Sequence, residues 1–415
     1  MRTSKEIARH IKEFILDQQI TDKPLEAQSD AFWKSLNETG TEIWLDTGDM
    51  EAAENIWSSE MSALTTNNTL LNKEIQKGIY DDLILKANHV VANLNPSQKV
   101  IEIAFILNAV HGLRLVQKFG AKVSVELHTD MAYDLQGILE YGERFHEIDP
   151  ENFYIKVPLT STGLIGARKL RQKGIPVNFT LGFSARQNFI ITTVARPNFV
   201  NVFLGRINSF IKDNGLGTGD NAGEKATLAS QRAIDTIIPP EGFPKTRQIA
   251  ASMRSGDQVQ KLAGVDVFTM PVKVAKEARD TLQTPFESMR DKVYDVVLNE
   301  NIDEKEIALN RCWEITEAEK KLARELDTDN LHDGTDVIQI SRDAGCGDIF
   351  PNMEEMDYRE IYETGKIPNY KYWRKPFYNA EIAVDSSLTL SGLAAFDTDQ
   401  RALDNRISRI IGESE

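Results

Sequence analysis

The chain has 415 residues, 41% of them hydrophobic, and a formal net charge of -15. That content fills a large core, as one barrel with an appendage or as two domains. An acidic chain without a basic tract excludes nucleic acid and anionic membranes as main partners, so an anionic ligand must be held by a few locally placed arginines. The cysteines, Cys312 and Cys346, stand outside any CxxC spacing, and no HExxH occurs. Neither a disulfide framework nor a metal site is indicated, and no cofactor is expected.

In chain order, the N-terminal stretch MRTSKEIARHIKEFILDQQ sets Ile7, Ile11, Phe14 and Ile15 at helical spacing among charges. It reads as a helical extension over 1–40, not as a signal peptide. No run reads as long and apolar enough to span a membrane, and a cytoplasmic protein is expected. Short apolar or β-branched runs then recur at 43–46, 63–66, 123–127, 153–157, 177–181, 199–204, 247–252 and 267–270. Helix-length segments separate them: 50–58 after the N-cap Asp49, 73–94 and 97–119 split at Asn95-Pro96, 163–173 ending at Gly174, 224–238, and 256–263. Eight strands alternating with helices predict an α/β fold, a (β/α)8 TIM barrel over 41–290. A doubly wound open sheet is the alternative, but no GxGxxG follows the first strand.

Beyond the eighth run, 274–326 is charged with Glu and Lys at i,i+4 spacing and reads as helical. Residues 327–387 read as irregular, yet too rich in Tyr370, Tyr372, Trp373, Phe377 and Tyr378 for a solvated linker. The expectation is an appendage over 291–390 packed on the barrel or on a partner subunit. A lid, with Lys371, Arg374 or Lys375 reaching a substrate anion, is the alternative. The last piece, 391–415, reads as an amphipathic helix with Phe396, Leu403, Ile407 and Ile410 on one face.

One residue in these runs is out of place. Lys156 stands between Ile155 and Val157 in an apolar strand. Burial disfavours a charged ammonium, and a neutral lysine amine is a nucleophile that condenses with ketones. A lysine snorkelling from a strand end is the ordinary alternative. The other strand ends weigh against it. Barrel active sites form at the C-terminal ends of the strands, where this chain places Asp46, Asn67, Glu126, Lys156, Thr180, Asn201, Arg206, Ser252 and Arg254. Imine formation and hydrolysis need a proton relay, which suits Glu126 with Thr180. Carbon–carbon cleavage needs a separate base, which suits Asp46. Two arginines can hold a phosphate bidentately.

These residues sit in ordered motifs: LDTGD (45–49), TTNNT (65–69), VSVELHTDMAYD (123–134), IKVP (155–158), VNFTLGFS (177–184), VFLGRI (202–207), ASMRS (251–255), LAGVDVFTM (262–270) and a final AAFDTDQRALDNRI. Together they resemble the transaldolase family over about 40–275 and 392–411. The resemblance implies a class I mechanism with Lys156 as the Schiff-base lysine on strand four and Glu126, Asp46 and Thr180 as its catalytic partners. It assigns Asn67, Asn178, Asn201, Arg206, Ser252 and Arg254 to substrate binding. It further implies no metal, phosphorylated sugar substrates, a place in the pentose phosphate pathway and often a homodimer. Two departures stand out: Asn201 replaces the usual serine and Asn68 the usual proline. Fructose-6-phosphate aldolases of the superfamily carry glutamine at the position of Glu126, so a glutamate there favours transfer over simple cleavage. The alternatives are a related enzyme acting on another ketose, such as a sulfo-sugar, or releasing free dihydroxyacetone, and a silent barrel used as a binding protein.

Overall fold

The computed structural model describes residues 4–412. Eight parallel strands close a barrel in sequence order. They are β1 Glu42–Asp46, β2 Met61–Thr65, β3 Lys122–Glu126, β4 Phe153–Pro158, β5 Val177–Thr180, β6 Phe199–Phe203, β7 Arg247–Ala251 and β8 Val267–Met270. β1 pairs with β8 and completes the closure. The expected strands are all present, with ends moved by one or two residues, and the architecture is a (β/α)8 barrel. Helices cover the outer face and side chains fill the inner one, so strands such as FVNVF of β6 are buried throughout. Inside, Trp44 stacks on Tyr154 at 5.8 Å and meets Phe199 edge-on at 4.6 Å. The Trp44 Nε1 donates to Glu42 at 2.7 Å, and Glu42 pairs with Arg247 at the N-terminal end of the barrel.

Local signals account for about half of the helix starts, Pro96–Phe119 among them. Asn95 caps the helix Pro96–Phe119 by accepting from Gln98 N at 2.9 Å, and Gly120, at φ 60°, ends it. This 24-residue helix corrects one expectation, because by length and composition it is apolar enough to cross a membrane. Here it is a core helix with Ile103, Leu107 and Leu115 fully buried. The helix expected over 73–94 is two, Asn68–Gln76 and Asp81–Val90. Asn67 caps the first, and the chain turns between them at Gly78, φ 81°.

Beyond β8 two further corrections apply. Residues 274–326 are not one helical stretch. The helix Val272–Thr281 stops before Pro285, and a second, Glu317–Leu326, starts at a Thr316–Glu319 capping box. Nor is 327–387 irregular. It holds the helices Gly334–Asp343, Glu355–Thr364 and Tyr370–Tyr378. Helices this short draw their stability from docking, so their periodicity is faint in the sequence. The final helix, Val384–Gly412, begins earlier than its amphipathic stretch suggested.

The aromatic segment packs on the barrel layer. Trp373 and Phe377 are buried, and the Phe377 ring lies 6.2 Å from that of Phe210 on the helix Leu204–Asp213. Tyr378 departs from the expected burial: it is 75% exposed. Limited proteolysis is therefore expected to leave 355–378 intact while the barrel is folded. Rapid cleavage throughout that stretch, with assembly and activity unchanged, would contradict the packing.

Candidate active site

The site is built by register. Glu126, Lys156 and Asn178 are Cα partners across β3, β4 and β5, so parallel pairing alone sets them on one level. Lys156 is almost fully buried. Its Nζ forms an ion pair with Glu126 Oε2 at 3.2 Å and donates to the Thr66 carbonyl at 2.9 Å. Asn178 donates to Ser124 Oγ at 3.0 Å and accepts from Asn201 Nδ2 at 2.9 Å. A snorkelling lysine would leave the barrel; this one is held inside it.

Lys156 opens on a cavity of about 280 Å³ at the C-terminal ends of the strands, which it shares with Asp46, Asn67, Asn178, Asn201, Phe203, Arg206, Ser252 and Arg254. All of these except Phe203 were expected at the site. Glu126 and Thr180 are placed differently. Glu126 lies behind Lys156 and faces a small, mostly apolar recess in which Asn108, His128 and Gln400 are its polar neighbours. Thr180 is fully buried and its hydroxyl has no partner.

The carboxylates flank the lysine from two sides. Asp46 accepts from Thr65 Oγ1 at 2.7 Å, and that hydroxyl lies 2.6 Å from Thr269 Oγ1. Burial raises the Asp46 carboxyl above its ordinary range, with Lys156 and Thr65 opposing. Glu126 is also raised by burial, against the opposing charge of Lys156. Carboxyls held above their usual range exchange protons nearer neutrality, as acid–base work requires.

At the far side of the cavity the first turn of the helix Leu204–Asp213, which follows β6 directly, touches the loop after β7. A Cβ on Gly205 would stand 2.2 Å from the Ser252 carbonyl, and Ser252 itself is left-handed at φ 60°. This close approach brings Arg206 and Arg254 to one wall. Arg206 is buried with Nη1 unpartnered. Burial and the neighbouring Arg254 bring its guanidinium down to about 10. Arg254 is lowered as well, by burial. The wall is a cationic recess in which, among the described residues, no carboxylate forms an ion pair with either guanidinium.

The two departures noted in the motifs have structural roles. Asn68 opens the helix Asn68–Gln76 where proline is usual, and its amide donates to Gln400 Oε1 of the final helix at 2.7 Å. Asn201 spans from Asn178 into the cavity, leaving its Oδ1 unpartnered. The residues expected of a lid, Lys371, Arg374 and Lys375, line a separate surface hollow with Glu306 and Tyr378. The helix Tyr370–Tyr378 carries them away from the mouth. Sequence reasoning missed Thr65, which holds Asp46, Thr269 beside it, and Lys73 and Lys366, which line the cavity. The threonines were legible as polar residues near strand ends. Lys366, inside a segment read as irregular, left no signal.

Comparisons with known proteins identify the family. A family model described as transaldolase/fructose-6-phosphate aldolase matches residues 43–332. The chain is 28% identical to a transaldolase of Synechocystis sp. over 254 residues, 58% of this chain and 63% of that protein, so it spans less than two thirds of that relative's length. A transaldolase of Protochlamydia amoebophila is 27% identical over 247 residues, 58% of this chain and 75% of its own. A probable transaldolase of Thermus thermophilus is 30% identical over 240 residues, 57% of this chain and 89% of its own. With the family model covering more than half of its length, the chain belongs to the transaldolase/fructose-6-phosphate aldolase family.

Proposed function

We propose that the protein is a cytoplasmic transferase of carbohydrate metabolism that moves a dihydroxyacetone unit from a ketose phosphate to an aldose phosphate through an imine on Lys156. The observation that carries this reading is the buried Lys156 Nζ, 3.2 Å from Glu126, at the floor of a cavity with Asp46 on its wall and unpaired arginines opposite. The lysine amine adds to the ketone carbon. Glu126 passes a proton to the carbinolamine oxygen, which departs as water and leaves an iminium. Asp46 takes the proton of the hydroxyl on the second carbon from the iminium carbon, and the bond joining that second carbon to the first breaks. Its electron pair moves to the iminium, giving an enamine on Lys156 and a free aldehyde. A second aldehyde accepts the enamine carbon, and water, relayed by Glu126, releases the product. Asn178 and Asn201 supply hydrogen bonds to the three-carbon unit, with Asn67 beside them. Thr180 supports the relay from its buried position. Arg206, Ser252 and Arg254 hold the phosphate. Glu126 in place of glutamine supports transfer over release of free dihydroxyacetone.

Borohydride reduction in the presence of fructose 6-phosphate tests the reading. A reduced three-carbon adduct is expected on the peptide that carries Lys156, found by mass analysis. Labelling at another lysine, or none with any ketose phosphate, would overturn it. Product analysis with and without an acceptor aldehyde then separates transfer from release.

A further inference from the structure

We propose that Lys366 is a specificity-determining residue: the turn that carries it straps the barrel mouth and supplies an additional cation that grips the dianionic phosphate end of the substrate. The identity of the phosphorylated sugar rests on the reading above; the anion grip itself is tested independently of it.

The turn is built to hold its position. The helix Glu355–Thr364 ends at Gly365, whose φ of 72° and ψ of -135° suit glycine alone and reverse the chain. Lys366 follows and lines the same cavity as Lys156. The backbone just beyond it is pinned from the barrel layer. Asn214 donates to the Pro368 carbonyl at 3.0 Å and accepts from Tyr370 N at 2.9 Å. On the near side Tyr362 donates its hydroxyl to Asp397 of the final helix at 2.9 Å. Lys366 also lies past residue 332, where the family match ends. The extra cation thus comes from a part of the chain that the family pattern does not cover.

Charge gives the strap its ligand. Lys73, Lys366, Arg206 and Arg254 line the cavity, and among the described residues none has a hydrogen bond or ion pair from its charged group. The carboxylate on that lining is Asp46, at the reacting end. Lys366 feels burial and the repulsion of Arg206, Lys73 and Arg254, opposed by Asp399, and its ammonium is held below its ordinary range. Four like charges facing one space, in a chain of net charge -15, call for an anion. A phosphate monoester carries a charge of about -1.5 to -2 near neutral pH and three acceptor oxygens, enough to engage Lys366 besides the two arginines.

The test uses the full chain with Lys366→Ala and Lys366→Arg. Calorimetric titration with inorganic phosphate, which needs no turnover, is expected to show affinity reduced roughly 10-fold in the alanine variant and largely kept in the arginine variant. The KM for fructose 6-phosphate should rise by a similar factor, with kcat and imine formation from unphosphorylated fructose unchanged. Unaltered phosphate affinity in Lys366→Ala would overturn the proposal. Equal losses on fructose and its phosphate would overturn it too, by showing a structural lysine. Should phosphate binding depend on Lys366 while no ketose forms an imine, the proposed reaction fails and the anion grip stands.

Discussion

Asp46→Asn is expected to form a trappable imine with fructose 6-phosphate yet turn over roughly 100- to 10,000-fold more slowly, the range for losing a positioned general base. The asparagine keeps the hydrogen bond from Thr65 Oγ1 and the volume at the end of β1, so the cavity retains its shape. Lys156 keeps Glu126 at 3.2 Å, and the steps that need only that pair continue. What is lost is the acceptor for the hydroxyl proton, and cleavage stalls. Glu126→Gln is expected to fail earlier, slowing imine formation itself, so the two variants separate by borohydride trapping before steady-state rates are compared. The pH profile adds a check. Both carboxyls are held above their ordinary range by burial. The ionised base is lost as pH falls through its raised pKa, so the acid limb of wild-type turnover should lie above the range of an ordinary aspartate. Normal turnover by Asp46→Asn would refute the assignment of the base.

The barrel was legible because each of its strands is a short apolar run closed by a turn signal. Register then supplied what composition lacks. Glu126 and Lys156 are far from obvious partners in the sequence, yet they meet because parallel pairing aligns them across β3 and β4. The polar ends of the strands were readable in advance, and the cavity gathers most of them. Glu126 and Thr180 show the limit of that approach: a strand end predicts the level of a side chain, not whether it faces the mouth or the wall behind it. The region after β8 was harder for a different reason. Its helices are short and fixed by tertiary contacts, and Pro285 breaks a charge pattern that looked continuous. Lys366 follows from the same cause. Its role depends on where a docked turn ends, and no local pattern encodes that.

The docking of that region leads to the second large effect. Arg186→Met is expected to destabilise the protein by about 3–5 kcal/mol, the cost of breaking a buried ion pair from one side. Arg186 lies in the first turn of the helix Ala185–Val194 and is fully buried. Its guanidinium donates to both oxygens of Asp385 at 2.8 Å, to Asp348 at 2.7 Å and to Glu319 at 3.0 Å. These carboxylates come from the final helix, from the loop after the helix Gly334–Asp343, and from the helix Glu317–Leu326. Their attraction holds Arg186 firmly charged despite its burial. Without it, Glu319 and Asp348 would keep only the partly exposed Arg311 among the cations of the described residues, 3.7 Å and 3.9 Å away, and Asp385 would keep none. Urea titration should show the loss as a lower midpoint. Arg186→Lys should recover only part of it, because an ammonium cannot match the planar fork that bonds both oxygens of Asp385. Adding Asp385→Asn to Arg186→Met should recover stability, since it removes one of the stranded charges. A loss below about 1 kcal/mol, the scale of an exposed pair, would mean that water reaches the carboxylates and that the segments from 313 onward are held by their apolar contacts alone.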